Sequence, residues 1–162
     1  VIGLVIALGQ SLRRDDGAAA ILVDGVPLPD GCTLRVLPQL LPELVDDLAR
    51  VSRVLFVDAA VDRCEPTLEP IPSGSDSSRS QSTGFSHFAS PCGLLELCHS
   101  LHGIRPIAHA LRLPAFDLGF GEGLSPSLQA HIPEARRLLE QWLTSPEYDA
   151  GTDIRQTSLK AD

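Results

Sequence analysis

VIGLVIALGQSLRRDDGAA, Val1 to Ala19, opens the chain with a nearly unbroken apolar run that stops at Gly9. Two arginines follow, then two adjacent carboxylates, Asp15 and Asp16, directly ahead of Gly17 and a row of alanines. The run is short and rich in Val and Ile. It fits a strand buried on both faces, the kind that parallel sheets hold between layers of helices. Gly17–Val23 starts a helix that Gly25, Pro27 and Pro29 cut short. The acid pair thus sits where a buried strand gives way to a helix.

The same grammar returns downstream. RVLFVD, Arg53–Asp58, is a strongly β-type run that ends abruptly in an acid. Before it, Thr33–Leu37 reads as a strand, and Pro38 to Arg50 as an amphipathic helix with Leu40, Leu41, Leu44, Val45 and Leu48 on one stripe. Cys64–Ile71 reads as an irregular or edge strand, because Pro66 and Pro70 remove ladder donors. Ser73–Gly84, SGSDSSRSQSTG, is too polar to pack and reads as a loop, with His87 just beyond it. Ser90-Pro91 opens a helix to about Leu101, which Gly103 ends. A strand centred on IAHALRL follows, then a glycine-rich turn at Gly119–Gly123, and a last helix from Ser125-Pro126 to about Leu143 that buries Trp142 and Leu138–Leu139. Strands alternating with helices predict an α/β three-layer sandwich, a mostly parallel central sheet with helices on both faces. One domain over residues 1–145 and a flexible polar tail over 146–162 are expected.

Composition narrows the function. The chain has 162 residues, a net charge of −8 and a single lysine, Lys160. Nucleic-acid backbones and anionic membranes both demand clustered cations, so neither is an expected partner. The opening apolar run is shorter than the roughly 20 residues that span a bilayer. Four scattered cysteines, Cys32, Cys64, Cys92 and Cys98, form no CxxC pair. A cytoplasmic protein with reduced thiols is expected.

On open parallel sheets, ligands gather at the carboxyl ends of the strands. Asp16, Asp58 and His87 all fall at or just after expected strand ends, so the fold can bring them together. Two carboxylates and an imidazole can share a divalent metal or act as a general acid–base set. Equally, acids at loop starts are common as helix caps and turn formers, with no ligand at all.

Resemblance adds to this reading. Gly9-Gln10-Ser11-Leu12-Arg13-Arg14-Asp15-Asp16-Gly17 resembles the signature G-N-x-L-x-x-D-D-G of the hydrogenase maturation proteases, with Gln10 in place of Asn. Gln39-Leu40 with Pro42-Glu43-Leu44, the strand VLFVDA at Val54–Ala59, Ser86-His87 leading to Gly93-Leu94-Leu95, and Gly121–Pro126 (GEGLSP) resemble further segments of that family, in the family's order. The resemblance implies an endopeptidase that removes the C-terminal extension from the large-subunit precursor of nickel–iron hydrogenases. It implies Asp16, Asp58 and His87 as the metal-contacting, catalytic residues. The nickel would be carried in by the precursor, with no permanent organic cofactor. The Gly9–Gly17 loop, with Gly9, Gln10, Asp15 and Gly17, would shape the substrate groove of a monomer. Asp15 reads either as a group supporting the site, or its base, or as a helix-start carboxylate.

Two other readings stay open. A receiver-like signalling domain also carries an acid pair after its first strand and an aspartate ending its third, and binds magnesium. Against it, the pair here lies several residues past the strand, and the one lysine is in the tail. A non-catalytic metal site is the other, since Cys98 and His102 share a helix face, with Cys92, His99 and His87 close in sequence. His109 and His131 have no evident partner, and Glu122 reads as a turn carboxylate.

Overall fold

The computed structural model describes residues 3–72 and 90–148. The opening run forms β1 (Gly3–Leu8), buried along its whole length. It lies between β2 (Cys32–Leu37) and β3 (Arg53–Ala60), parallel to both. On the far side of β3 comes β5 (Ile107–Pro114), again parallel, and the edge is β4 (Thr67–Pro70), antiparallel to β5. The order β2-β1-β3-β5-β4 gives a five-stranded, mostly parallel sheet. Receiver-type doubly wound sheets run parallel in the order 2-1-3-4-5; the reversed edge strand departs from that pattern.

Alternation along the strands divides the core in two. Val5, Ala7, Leu55, Val57, Leu111 and Leu113 point to one face, where α1 (Ala18–Val23) and α5 (Ile132–Thr144) cover them. Leu4, Ile6, Val54 and Phe56 point to the other, under α2 (Leu44–Leu48) and α3 (Pro91–His102). Period-two strands with both faces apolar can be buried only this way. Each fully buried Leu or Phe contributes about 2 kcal/mol of transfer free energy. The three-layer sandwich expected from the alternation of elements is the one observed.

Four segments differ from expectation, two of them through a proline. The helix expected over Pro38–Arg50 is only α2, and Leu41, placed on its apolar stripe, is 39% exposed. Pro42 disfavours helical geometry at Leu41 and has no N–H of its own, so the helix cannot begin before it. The last helix is two: α4 (Pro126–Gln129), then α5 after a turn at His131. Pro133 cannot donate within a continuing helix but suits the first turn of a new one. β3 runs two residues beyond the expected end at Asp58. The segment expected as tail begins with a 3-10 turn, Pro146–Tyr148, whose tyrosine ring meets His109 edge-on at 5.0 Å.

The sheet's amino end is closed by charge. Arg53, at the start of β3, donates to the carbonyls of Trp142 (2.9 Å) and Leu143 (3.1 Å), and its guanidinium lies 4.4 Å from the centre of the Trp142 ring. A cation at a helix C-terminus answers the carbonyls left without intrahelical partners. The expected core role of Trp142 is observed: it is fully buried, and its indole N–H donates to His109 Nδ1 at 3.3 Å. His109 therefore has a partner that its sequence position did not reveal. All four cysteines are free, and no helix among the described residues is long and apolar enough to cross a membrane.

Candidate active site

At the opposite end, β1 leaves the sheet through a loop folded tightly on itself. Gly9 has φ +141°, and a Cβ there would lie 1.7 Å from the Asp16 carbonyl oxygen, so only glycine fits. A Cβ on Gly17 would sit 2.9 Å from Ser11 Cα. With both glycines in place the loop closes, and the Gln10 N–H donates to Asp16 Oδ2 at 2.9 Å. Arg14–Gly17 then form a turn of 3-10 geometry leading into α1. The backbone itself holds Asp16 at the carboxyl end of β1, half-buried rather than loose in solvent.

Asp58 approaches from the neighbouring strand. It is half-buried, its Oδ1 accepts the Ala59 N–H at 2.8 Å, and Arg112 stands opposite it on β5. Burial pushes its carboxyl above the usual aspartate range, and the negative charge of nearby Asp16 pushes it further, against the opposing pull of the Ala59 N–H and of Arg112. A carboxylate that is desolvated and beside another carboxylate is poised for a cation. The two acids, 42 positions apart in sequence, stand after β1 and on the neighbouring β3, near enough for the charge of Asp16 to act on Asp58, although Asp58 lies within its strand and not at its end. His87 lies outside the described residues. Among the described residues no group of three or more His, Cys, Asp and Glu is gathered around one point.

Asp15 belongs to a different structure. Its side chain is fully buried, so it does not line a groove as expected from its place in the loop. Oδ2 accepts the N–H groups of Phe116 (2.9 Å) and Asp117 (3.0 Å) and the Ser125 hydroxyl (2.7 Å); Oδ1 accepts the Ser125 N–H (2.7 Å). Burial raises its pKa, but these hydrogen bonds together outweigh burial and hold it below the usual value. A carboxylate with this many donors is an anchor, not a base. The Ser125 hydroxyl also accepts from the Leu128 N–H and caps α4. Sequence reading gave Asp15 the role of a helix-start acid as one option; the observed partners come from the far end of the chain, over 100 positions away, which local patterns cannot register.

The anchor joins two loops. Gly121 N–H donates to the Leu12 carbonyl (2.8 Å), and Arg14 N–H to the Gly121 carbonyl (3.0 Å). Arg14, in an unusual left-handed conformation at φ 47°, reaches Asp117 at 3.4 Å. The GEGLSP turn, whose link to the acid loop sequence spacing did not expose, is thereby fastened to the loop that carries Asp16. Glu122, read as a turn carboxylate, is exposed within it.

The alternative metal pairing dissolves into packing. The Cys98 thiol donates to the Val45 carbonyl at 3.6 Å, and burial raises its pKa, keeping it a neutral thiol. His102 Nε2 lies 3.0 Å from Asp46 Oδ1. Both side chains tie α3 to α2. His131 stacks on Phe116, ring centres 6.0 Å apart.

No protein-family model matches the chain, and no curated protein matches it in sequence. Solved structures do match in shape. The hydrogenase maturating endopeptidase HybD from E. coli superposes with a TM-score of 0.65 at 21% identity, over 86% of this chain and 90% of that one. The [NiFe] hydrogenase maturation protease HybD from Thermococcus kodakarensis gives 0.65 at 20% identity, over 89% and 100%. HycI, a [NiFe] hydrogenase maturation protease from the same organism, gives 0.63 at 17% identity, over 89% and 93%. Near-complete mutual coverage at such low identity is a likeness of architecture: this chain has the α/β fold of the hydrogenase maturation endopeptidases.

Proposed function

We propose that the chain is an endopeptidase that removes the C-terminal extension of a nickel–iron hydrogenase large-subunit precursor, working as a cytoplasmic monomer. The observation that supports this reading is the electrostatic coupling of Asp16 to Asp58 near the carboxyl end of a parallel sheet, in the fold of the hydrogenase maturation endopeptidases. Asp16 is held by the Gln10 N–H, and the charged form of Asp58 is disfavoured by burial and then by its neighbour's charge. Two acids so arranged supply oxygen ligands for part of a cation's shell and leave the rest to other donors. Nickel already seated in the precursor fits this demand and arrives with the substrate. In this reading His87 supplies the third, nitrogen contact. The cation's charge would polarise the scissile carbonyl or acidify a water at the bond to be cut.

The test is incubation with nickel-loaded precursor followed by intact-mass measurement. Loss of the C-terminal extension is expected. A precursor of unchanged mass overturns the proposal, and equal trimming of nickel-free precursor overturns the part of it that concerns nickel.

A further inference from the structure

Phe120 is the most exposed large apolar side chain among the described residues, at 85%. It stands on the loop between β5 and α4, and that loop is rigidly held. Asp15 grips both ends of it through Phe116, Asp117 and Ser125. The Gly119 N–H donates to Asp117 Oδ1 at 2.8 Å inside it, and Gly121, at φ +146°, bonds across to Leu12 and Arg14. A Cβ at Gly121 would only touch the Arg14 guanidinium, at 3.5 Å, but the backbone angle itself strains any other residue there. The backbone is thus fixed while the aromatic ring faces water. Nothing in core packing accounts for a phenylalanine there.

Its location indicates a purpose. Gly121, the next residue, is hydrogen-bonded to the loop that carries Asp16, and Leu12 on that loop is itself 49% exposed. The two exposed apolar residues thus flank the backbone bonds that join this loop to the one carrying Asp16, where a polypeptide approaching Asp16 has them at hand. A preorganised aromatic surrenders little entropy on binding, and such residues dominate protein interfaces.

Resting on the reading of the chain as a precursor-trimming endopeptidase, we propose that Phe120 is a specificity contact, docking into an apolar recess on the folded precursor beside the bond to be cut. It touches the protein substrate and takes no part in the chemistry. Leu12 extends the same apolar rim.

The experiment compares the wild-type chain with Phe120→Ala and Phe120→Leu in KM and kcat on nickel-loaded precursor, with melting temperature and sedimentation alongside. Phe120→Ala is expected to raise KM about tenfold or more, with kcat within about twofold and Tm unchanged, and Phe120→Leu to recover part of the loss. An unchanged KM, a fall confined to kcat, or wild-type self-association abolished by the substitution would overturn the inference while leaving the protease assignment standing. A wild-type chain that neither binds nor trims the precursor overturns both.

Discussion

The hydroxyl of Ser125 lies 2.7 Å from Asp15 Oδ2, although 110 positions separate the two residues. That bond, with the three backbone N–H groups around the same carboxylate, makes the first loop of the chain and the start of α4 a single unit. Asp15→Asn would present an amide N–H₂ to donors and is expected to cost about 3 kcal/mol, read by urea unfolding at neutral pH.

The same carboxylate predicts an acid limb. Its folded pKa lies below the unfolded value, so its stabilisation is complete above the ordinary aspartate pKa of about 3.9 and is lost as pH falls through the depressed folded value. Unfolding free energy followed downward from pH 5 should fall less steeply in Asp15→Asn than in the wild type. Parallel curves would mean that other carboxylates set the acid limit.

Asp58 makes the opposite contribution. Burial and the charge of Asp16 raise its pKa, so the unfolded chain gives up this proton first and folding loses stability as pH rises through the ordinary aspartate value. Asp58→Asn should melt at or above the wild-type temperature at neutral pH while precursor trimming falls at least a hundredfold. A stability loss above about 1 kcal/mol would identify Asp58 as structural.

Gly9 tests the loop itself. In Gly9→Ala the new methyl would have to displace the Asp16 carbonyl, 1.7 Å away, from a backbone already at positive φ. A cost of about 3 kcal/mol or more is expected, with trimming lost. Gly25→Ala is the control: it shares a positive φ of 70° but has nothing within 4 Å of its Cβ position, so it should keep activity and lose less stability.

His109 sets a separate, milder pH dependence at the other end of the sheet. Burial, then the Arg53 charge, lowers its pKa, so the neutral ring that accepts from Trp142 is the stable form. Stability is full above the ordinary histidine value of about 6.5 and declines as pH drops towards the lowered one. Replacing His109 by Gln should flatten the melting temperature between pH 7 and 5.

Local pattern was enough to read most of the fold. Continuous apolar runs at Leu4–Leu8 and Val54–Val57 can satisfy both faces only inside a covered parallel sheet, and the Ser-Pro starts of α3 and α4 fixed where those helices begin. Pro42 and Pro133 also stood in the sequence, and their missing N–H groups shorten one expected helix and divide another. Of the candidate site, the repeated pattern of apolar run and acid marked Asp16 and Asp58, which the fold puts after β1 and within the neighbouring β3. What stayed hidden was the task of Asp15, because a hydrogen bond to Ser125 leaves no periodicity at either residue. Arg53 and His109 were hidden likewise: the partners of Arg53, Trp142 and Leu143, lie 89 and 90 positions away, and Trp142, the partner of His109, lies 33 away.

Three of the four donors that hold Asp15 are main-chain N–H groups, supplied equally well by almost any amino acid. Within that clasp only Ser125 is bound by the chemistry of its own side chain. Phe120, between these donors and facing water, is at liberty to mutate without unfastening the acid loop. A lineage could therefore retune which client it accepts, residue by residue, and leave the two acids where they are.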